Sequence, residues 1–491
     1  MALPSKQEVD ELVSSLNQAA QAYSDAPDLD GYMSRVQILA RARVLTQALI
    51  TPDQKPNYHG LNIAELVAIR TFMRLKVLDA IPAAGSISLN DLSKATGVQD
   101  SLLERMGRVL VASGFLDQTE PDGGEYKHTK FSLAYILDKP APGHLFLAMY
   151  DEWFKHMHNF DDYLVSKGKY EEPQDALHNP YTTYYKQEGT PVWSIMMQYP
   201  ERFLAFQTGM SGIDVAIPVT GHFDFSTLKN TPEDDSNGIV ELVDVGGGEG
   251  VVLSKILEAH PKLTPKNCML QERPEVIKLA KIKENLPGDV QLVEHDFMTE
   301  QPIKGAKAYF MRMILHDYSD TVGIQILTRL AEAMSPDSRV LICEMVLAPR
   351  VGEADFAAAV LDQAVMTMGG KERTEAGFKK MFEAAGLELV QTWRVPGVPG
   401  GCVEGRLKSR ARTRRRTAAL LGALILLDDK VGNFVTILFK VLSVDILVIT
   451  PVTVRVTRVA VRADDIAVVV LAQRDVGALK DLQRSVSFVP F

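Results

Sequence analysis

Cysteine is scarce in this chain of 491 residues, which excludes a scaffold held together by disulfides. Cys268, Cys343 and Cys402 each lie in an apolar, strand-like run, and none has the C-x-x-C spacing of a zinc or redox site. Buried, reduced thiols of this kind are typical of a cytoplasmic protein. The acidic residues form no metal-type cluster in the sequence, so we expect no metal.

An excess of positive charge and long apolar runs are missing as well. The 53 Lys and Arg are outnumbered by 62 Asp and Glu, and the formal net charge of −9 argues against nonspecific nucleic-acid binding. The N-terminus holds acidic groups and no apolar core of signal-peptide length, which predicts neither secretion nor organelle import. The apolar run 418–427 is shorter than the roughly 20 residues that span a bilayer, so no membrane partner is expected.

The N-terminal third has the periodicity of helices. Residues 5–50 read as amphipathic helices, and Pro52 and Pro56 are predicted to close that region with a turn. From Leu61 on, further helical segments precede a glycine-rich turn, PDGG, between two short predicted strands. This order is typical of a winged helix-turn-helix. We predict a helical and winged-helix domain over 1–140, followed by a helical linker rich in Met and aromatic residues over 141–230.

From Ile239 the pattern changes to alternating strands and helices. The predicted strands are IVELVDV, NCMLQ, DVQLVEH, AKAYFMRM, RVLICEM, LELVQTW and CVEGRLK, and the predicted helices between them include 274–285, 321–334 and 374–385. Such an alternation predicts an α/β fold with a mostly parallel sheet that is covered on both faces. We assign residues 231–408 to this domain.

The tail, residues 409–491, differs in composition from the rest of the chain. It begins SRARTRRRT, then becomes rich in Val, Leu, Ile, Arg and Asp, and it contains no Glu, His, Tyr or Trp. Such a shift suggests an appended segment, which we predict to be disordered or weakly structured and dispensable.

The stretch 239–250, IVELVDVGGGEG, is the most informative in the chain. An apolar run ends in three glycines, Gly246, Gly247 and Gly248, and an apolar helical pattern resumes at once. A strand, a tight glycine turn and a helix are the element that opens nucleotide-binding α/β domains. Glycines let the backbone take positive φ and let a ligand lie against bare main chain. We therefore expect a cofactor that contains adenosine.

Acidic residues end the next two predicted strands. Glu272 follows the second strand, where nucleotide-binding folds place the acid that accepts the ribose hydroxyls. Asp296 and Phe297 follow the third strand and offer an acceptor and a ring to an adenine. A nicotinamide fingerprint is the alternative, but it has its acid roughly 20 residues after the glycines and a small residue where Val251 stands. The gap here is longer, which weakens that alternative.

The fourth predicted strand runs into LHDYSD. His316 and Asp317 fall at the carboxyl edge of the sheet, where open α/β folds bind their ligands. A histidine can take a proton near neutral pH, and adjacent acids can hold its ring. Glu344 ends the fifth strand at the same edge, and Glu372 lies in GGKERTEAGF before a helix. These residues predict a site for proton transfer.

Together these motifs resemble the class I S-adenosylmethionine-dependent O-methyltransferases of the caffeic-acid and flavonoid type, including their fungal polyketide-pathway relatives. The resemblance covers about residues 10–408 through the winged-helix domain, VDVGGGEG, LHDYSD, CEMVL, GGKERTEAGF and VEGRLK. It implies a Rossmann-like methyltransferase sheet, with residues 1–140 as a dimerisation domain, 141–230 as part of the substrate pocket and 231–408 as the catalytic domain. The tail has no counterpart in that family.

The resemblance also implies roles for particular residues. His316 matches the general base, and Glu344 and Glu372 match the acids beside it. The positions that match cofactor contacts are Gly246, Gly247, Gly248, Glu272, Asp296, Phe297 and Arg312. The implied activity is methyl transfer from S-adenosyl-L-methionine to a hydroxyl of a phenolic or polyketide-type small molecule in secondary metabolism, by a homodimer and without metal.

Two further alternatives remain from the sequence. A winged-helix DNA-binding regulator is one, but its candidate recognition helix, 100–113, sets Arg105 and Arg108 against Asp100 and Glu104. That helix lacks the basic face that a phosphate backbone requires. A methyltransferase-like scaffold without turnover is the other, and the presence of His316 with two acids argues against it.

Overall fold

The computed structural model describes residues 3–26, 28–120, 123–136, 142–210, 217–352 and 355–408, and the backbone of 435–441, 444–450, 455–460 and 469–473. The chain forms two compact units, Met1–Lys408 and Ser409–Phe491. Within the described residues, no helix is long and apolar enough to cross a membrane.

The chain begins with three long helices, α1 (Lys6–Gln21), α2 (Leu29–Leu49) and α3 (Lys55–Arg74). α1 starts in a capping box, in which Ser5 and Glu8 satisfy each other's backbone N–H groups. The predicted turn at Pro52 and Pro56 is half right, because Pro56 lies in the first turn of α3 rather than before it. Proline fits there because the first turn of a helix needs no backbone N–H.

The winged-helix prediction matches the next elements. They are α4 (Val77–Ala80), α5 (Leu89–Thr96), α6 (Asp100–Ala112), and the antiparallel pair β1 (Leu116–Glu120) and β2 (Gly123–His128). Phe72, Leu103 and Leu110 are buried in one core with Tyr126 of the second strand. Full burial of such side chains stabilises the fold by about 1.5–3 kcal/mol each.

The following region, up to the sheet, is helical. Its α-helices are α7 (Lys130–Leu133), α8 (Pro142–Ala148), α9 (Lys155–His158), α10 (Phe160–Lys167), α11 (Pro180–Tyr184), α12 (Val192–Met196), α13 (Pro200–Met210) and α14 (Pro232–Ser236). A π-helical turn, Met149–Phe154, lies between α8 and α9, and a 3-10 turn spans Phe225–Leu228.

The second large element is a twisted sheet with helices between its strands. Its members are β3 (Leu242–Val245), β4 (Cys268–Glu272), β5 (Gln291–Glu294), β6 (Ala308–Arg312), β7 (Arg339–Leu347), β8 (Arg373–Thr374), β9 (Leu387–Arg394) and β10 (Gly400–Leu407). The order is β5-β4-β3-β6-β7-β10-β9, with β8 paired to β7. β10 runs antiparallel between β7 and β9, and the other pairs are parallel. Each of the seven strands named from the sequence is present.

Helices cover both faces of this sheet, as predicted. They are α15 (Val251–Ala259), α16 (Pro274–Lys283), α17 (Asp320–Ala333), α18 (Phe356–Met366) and α19 (Glu375–Ala384), with 3-10 turns at Pro265–Asn267 and Leu315–Asp317. Neighbouring strand residues alternate between two cores: Leu242 packs with α15 and α18, whereas Val243 packs with α17 and α19. A strand buried on both faces needs the continuous apolar runs seen in the sequence.

The backbone of the tail unit is described in four strands. They form two antiparallel pairs, β11 (Val435–Val441) with β12 (Val444–Thr450), and β13 (Arg455–Ala460) with β14 (Val469–Gln473). The arginine-rich run 410–416 and the apolar run 418–427 lie outside the described residues. The domain boundaries given above stay predictions.

Candidate active site

The candidate site lies at the carboxyl edge of the parallel strands. From β3 the chain continues to β4 and β5 on one side, and then crosses to β6 on the other side of β3. The order of the strands therefore reverses at β3. Such a switch point opens a crevice above the strand ends, where α/β folds bind ligands. The glycine turn, Glu272, Asp296, Arg312 and His316 all follow or end strands at this edge.

The glycine turn depends on its lack of side chains. Gly246 and Gly248 take φ of 74° and 60°, a region that other residues rarely adopt. Gly247 has an ordinary φ but no space, because a Cβ there would lie 2.2 Å from Asp244 Oδ2 and 2.5 Å from Leu270 Cδ1. The turn therefore presents bare main chain above β3.

Asp244, the only acid in β3, lies directly under this turn. It is 1% exposed, and its Oδ2 accepts no hydrogen bond from the described residues. Burial, and after it the charge of Glu272, raises the pKa of Asp244 to about 7. The sequence analysis did not select Asp244, although an acid inside an otherwise apolar central strand is a signal for a buried polar site.

The acids at the next two strand ends have different surroundings. Glu272 is partly buried, and its carboxylate accepts hydrogen bonds from the N–H groups of Gly248 (3.3 Å) and Arg273 (2.8 Å). Burial raises its pKa. Asp296 is exposed and accepts from the N–H of Met298 at 2.9 Å. Phe297 lies beside the glycine turn, 3.5 Å from where a Cβ of Gly246 would stand.

Arg312 ends β6 and donates from Nη2 to the carbonyl of Ile217 at 2.7 Å. Met313 then takes a left-handed φ of 56°, which turns the chain out of the strand. The guanidinium is close enough to Asp244 to lower the pKa of that acid, against the effect of its burial. Arg312 thus belongs to the same edge as the glycine turn.

His316 lies in the 3-10 turn after β6 and is 5% exposed. Its Nδ1 is 2.7 Å from Glu372 Oε1, and because a carboxylate only accepts, Nδ1 carries the hydrogen. Nε2 is 3.4 Å from Asp317 Oδ1. Fixing the hydrogen on Nδ1 leaves the Nε2 lone pair as the basic position of the neutral ring.

Glu344 lies close to His316 but does not contact the imidazole by a hydrogen bond. Its Oε1 accepts from the backbone N–H groups of Ile314 (3.1 Å) and His316 (3.2 Å), and it is fully buried. Of the two predicted acids, only Glu372 bonds the ring. Glu344 instead anchors the main chain of the turn, a distinction that sequence cannot make.

Three carboxylates set the electrostatics around His316. Burial lowers the pKa of His316, but Asp317, Glu372 and then Glu344 outweigh it and raise the pKa to about 10. Burial raises the pKa of Glu344 to about 7 and that of Asp317 to about 6, and the charge of His316 opposes both shifts. Free of ligand, the site therefore favours the imidazolium at neutral pH.

The Met-rich stretch 149–210 divides by burial. Met196 is fully buried and Met197 is 40% exposed. Met149, Met157 and Met210 are partly buried against the core that also contacts Met313 at the end of β6.

Comparison with known proteins identifies the family. Residues 170–388 match an O-methyltransferase domain, and residues 61–138 match an O-methyltransferase dimerisation domain. Methyltransferase cfoD of Aspergillus candidus is 33% identical over 403 residues, which cover 80% of this chain and 97% of that relative. The chain belongs to the O-methyltransferase family. The family, the fold and the S-adenosylmethionine-dependent enzyme class predicted from the sequence are confirmed.

Solved structures have the same fold. The crystal structure of OxaC superposes with a TM-score of 0.72 at 26% identity and covers 82% of this chain and 100% of OxaC. OxaC has also been solved with S-adenosylhomocysteine and oxaline. The structure of LepI in complex with S-adenosylmethionine has a TM-score of 0.68 at 21% identity over 82% of this chain and 99% of its own, which is a likeness of fold alone.

Proposed function

We propose that this enzyme transfers a methyl group from S-adenosylmethionine to a hydroxyl of a phenolic or polyketide-type small molecule, with His316 as the general base. The observation that supports this most is the orientation of His316. Glu372 holds the hydrogen on Nδ1 at 2.7 Å, so Nε2 is the nitrogen available to an acceptor hydroxyl. The similarity to methyltransferases of Aspergillus species supports a role in secondary metabolism.

The residues at the glycine end of the edge fit this cosubstrate. Asp244 keeps a buried, unpaired carboxylate oxygen under the turn, which suits a cationic group. Glu272 has acceptor capacity left for ribose hydroxyls, and Asp296 with Phe297 offers an acceptor and a ring to an adenine. Gly246, Gly247 and Gly248 would lie against the cosubstrate, with Arg312 at the same edge.

Proton removal and positioning are the tasks left to the protein. S-adenosylmethionine, when bound, supplies a methyl group activated by a positively charged sulfur. His316 Nε2 would take the hydroxyl proton while the acceptor oxygen forms its bond to the methyl carbon. The bond between that carbon and sulfur breaks at the same time, and its electron pair leaves the sulfur uncharged. The pKa of a phenol is about 10, close to that of His316 in the ligand-free site. Matched pKa values let the proton move between them at little free-energy cost.

The acceptor should be flat and largely apolar. Met149, Met157 and Met210 lie partly buried against the core that reaches Met313. Methionine side chains adapt to irregular guests and make favourable contacts with aromatic rings.

The test is methyl transfer itself. Purified enzyme is incubated with S-adenosylmethionine and a panel of phenolic and polyketide hydroxyl compounds, and products that gain one methyl group are sought by mass spectrometry. His316→Ala and His316→Gln should lower kcat by about 10²-fold or more while S-adenosylmethionine binding persists. His59→Ala, at an exposed site on α3, is the control. Equal turnover in His316→Ala would remove this mechanism.

Two alternatives receive less support. In α6, the helix that would read DNA, Arg108 is paired with Glu104 at 2.7 Å, which leaves little basic surface. A methyltransferase fold that binds the cosubstrate without methyl transfer is the other alternative. Failure of every acceptor to gain a methyl group, with S-adenosylmethionine still bound, would favour it.

We also propose a homodimer through residues 1–140. None of the residues of α1 is buried, although the helix has a strong apolar stripe, and Leu39, Val44 and Ile63 of the next two helices are exposed. The match to a dimerisation domain over 61–138 supports the same assembly. Light scattering at micromolar concentration should give twice the chain mass of 54.2 kDa, and a monomer would count against the proposal.

Independence from metal and a cytoplasmic location stay predictions. Within the part of the chain that the structure describes, no group of three or more His, Cys, Asp or Glu residues could hold a metal ion. Activity that is unchanged after dialysis against a chelator would support the metal-free mechanism.

A further inference from the structure

The guanidinium of Arg373 is buried among main-chain carbonyls, with its side chain 1% exposed. Nη1 donates to the carbonyls of Leu315 (2.9 Å) and Lys371 (3.0 Å), and Nη2 donates to that of Tyr318 (2.7 Å). Nε donates to Asp320 Oδ1 at 2.7 Å. One side chain therefore makes four hydrogen bonds from three of its nitrogens.

The carbonyls on Arg373 belong to the two segments that form the proposed base. Leu315 and Tyr318 lie on either side of His316, while Lys371 directly precedes Glu372. A backbone bond from Lys371 N–H to the His316 carbonyl, at 2.7 Å, joins the same two segments. Gly370 allows this approach, since a Cβ there would lie 2.2 Å from the His316 carbonyl oxygen.

The backbone of Arg373 is itself fixed. It pairs with Val346 in the parallel β7–β8 ladder, two residues beyond Glu344. Arg373 thus connects the His316 turn to β7, the strand that carries Glu344, and to the segment that holds Glu372.

We propose that Arg373 is a positioning residue, which sets His316 against Glu372 so that the imidazole keeps its hydrogen on Nδ1 and its lone pair on Nε2. This inference rests on the proposed role of His316. Arg373 touches no reacting atom and acts through the turn. Lysine cannot replace it, because three donors on one nitrogen cannot reach four acceptors spread around a planar fork.

The test compares Arg373→Lys and Arg373→Met with Arg329→Met, a control on α17 whose side chain pairs with Glu332 at the surface. We expect kcat to fall by about 10²-fold in both Arg373 variants, because small misplacements of a catalytic group have effects of this size. KM for S-adenosylmethionine should stay within a few-fold, since the glycine turn is untouched. The rising limb of the pH profile, on which His316 loses its proton, should move to lower pH, because the His316–Glu372 contact loosens.

A purely structural role would lower the melting temperature and leave the pH limb of the surviving enzyme in place. Asp320→Ala covers the case in which Arg373→Met fails to fold, because Asp320 is half exposed and its loss removes only one of the four bonds. That variant should lower kcat several-fold and shift the limb in the same direction. An unchanged kcat and limb in Asp320→Ala, or in folded Arg373→Met, would overturn the proposal.

A double-mutant cycle separates this inference from the function on which it rests. If Arg373 acts through the His316–Glu372 contact, Glu372→Gln should cost much less in the Arg373→Met background than in the wild type. Effects that multiply independently would overturn the positioning role. Full activity in His316→Ala would instead overturn the general base, whatever the cycle shows.

Discussion

The carboxyl edge of the sheet has two halves whose carboxylates bond different partners. In the cofactor half, formed by the glycine turn, Asp244, Glu272, Asp296 and Phe297, Glu272 and Asp296 accept from backbone N–H groups near their own strand ends. In the histidine half, formed by His316, Asp317, Glu344, Glu372 and Arg373, Glu344 and Glu372 are at most 2% exposed and bond the His316 turn or ring through one oxygen each. Their second oxygens, like Asp244 Oδ2, accept no hydrogen bond from the described residues.

This difference separates binding from rate. The acids of the cofactor half surround the glycine turn and make no hydrogen bond to His316, so a change there should alter the affinity for S-adenosylmethionine. Glu344 and Glu372 of the histidine half each bond His316 or its turn, so a change there should alter turnover and its pH dependence. A substitution in the cofactor half that lowered only kcat, or one in the histidine half that lowered only the affinity for S-adenosylmethionine, would contradict this comparison.

The largest effect is expected from Gly247→Ala. Its Cβ would meet Asp244 and Leu270 at 2.2 and 2.5 Å, so the turn must move away from β3. We expect S-adenosylmethionine binding to become undetectable by calorimetry, with melting curves to show that the variant is folded. Gly238→Ala is the matched control, because Gly238 lies outside the proposed site, no atom lies within 4 Å of its Cβ and only the positive φ opposes it, at about 1–2 kcal/mol. Equal binding in both variants would contradict the proposed turn.

Glu272→Ala should weaken S-adenosylmethionine binding by about 10- to 100-fold, since a hydrogen bond to a charged group contributes about 1.5–3 kcal/mol. Glu275→Ala, three residues on at an exposed pair with Arg273, should leave affinity unchanged. At saturating cosubstrate, kcat of Glu272→Ala should stay near the wild-type value. A fall in kcat with unchanged affinity would move Glu272 out of the cofactor half.

The pH profile should report the histidine half. Neutral His316 is the base, and its pKa in the free site is raised to about 10, so kcat/KM should rise with pH towards that value. Asp317→Asn and Glu372→Gln each remove a carboxylate that favours the imidazolium, so the limb should move down by about 1 pH unit or more. Asp337→Asn, at an exposed site, is the control.

Asp317, Glu372 and Glu344 each raise the pKa of His316. Arg373 acts on this titration indirectly, because it lowers the pKa of Glu344. Ionisation of a phenolic acceptor would also give a limb near pH 10. That limb would not respond to either substitution, so identical profiles in Asp317→Asn, Glu372→Gln and wild type would exclude His316 as the titrating base.

Much of the sheet could be predicted because strands buried on both faces leave long apolar runs in the sequence. The strand ends followed from the same runs, which placed Glu272, His316 and Glu344 at one edge. What each carboxylate bonds could not be predicted: Glu344 bonds the backbone at His316, while Glu372, which lies in no predicted strand, bonds the ring. Arg373 was missed because its partners are carbonyls, which no side-chain pattern reveals.

The smallest effect is expected from ending the chain at Lys408. The glycine turn, His316 and every other proposed site residue lie in the unit Met1–Lys408, where β10 is already paired on both sides, by β7 and β9. Neither half of the edge should then change, so kcat, the affinity for S-adenosylmethionine and the pH limb should match those of the full chain. Removing the Val-rich tail should also improve solubility, because segments with high β-propensity favour aggregation. Loss of activity on truncation would mean that residues 409–491 complete the pocket. A loss confined to kcat would place their effect in the histidine half, and a loss confined to affinity would place it in the cofactor half.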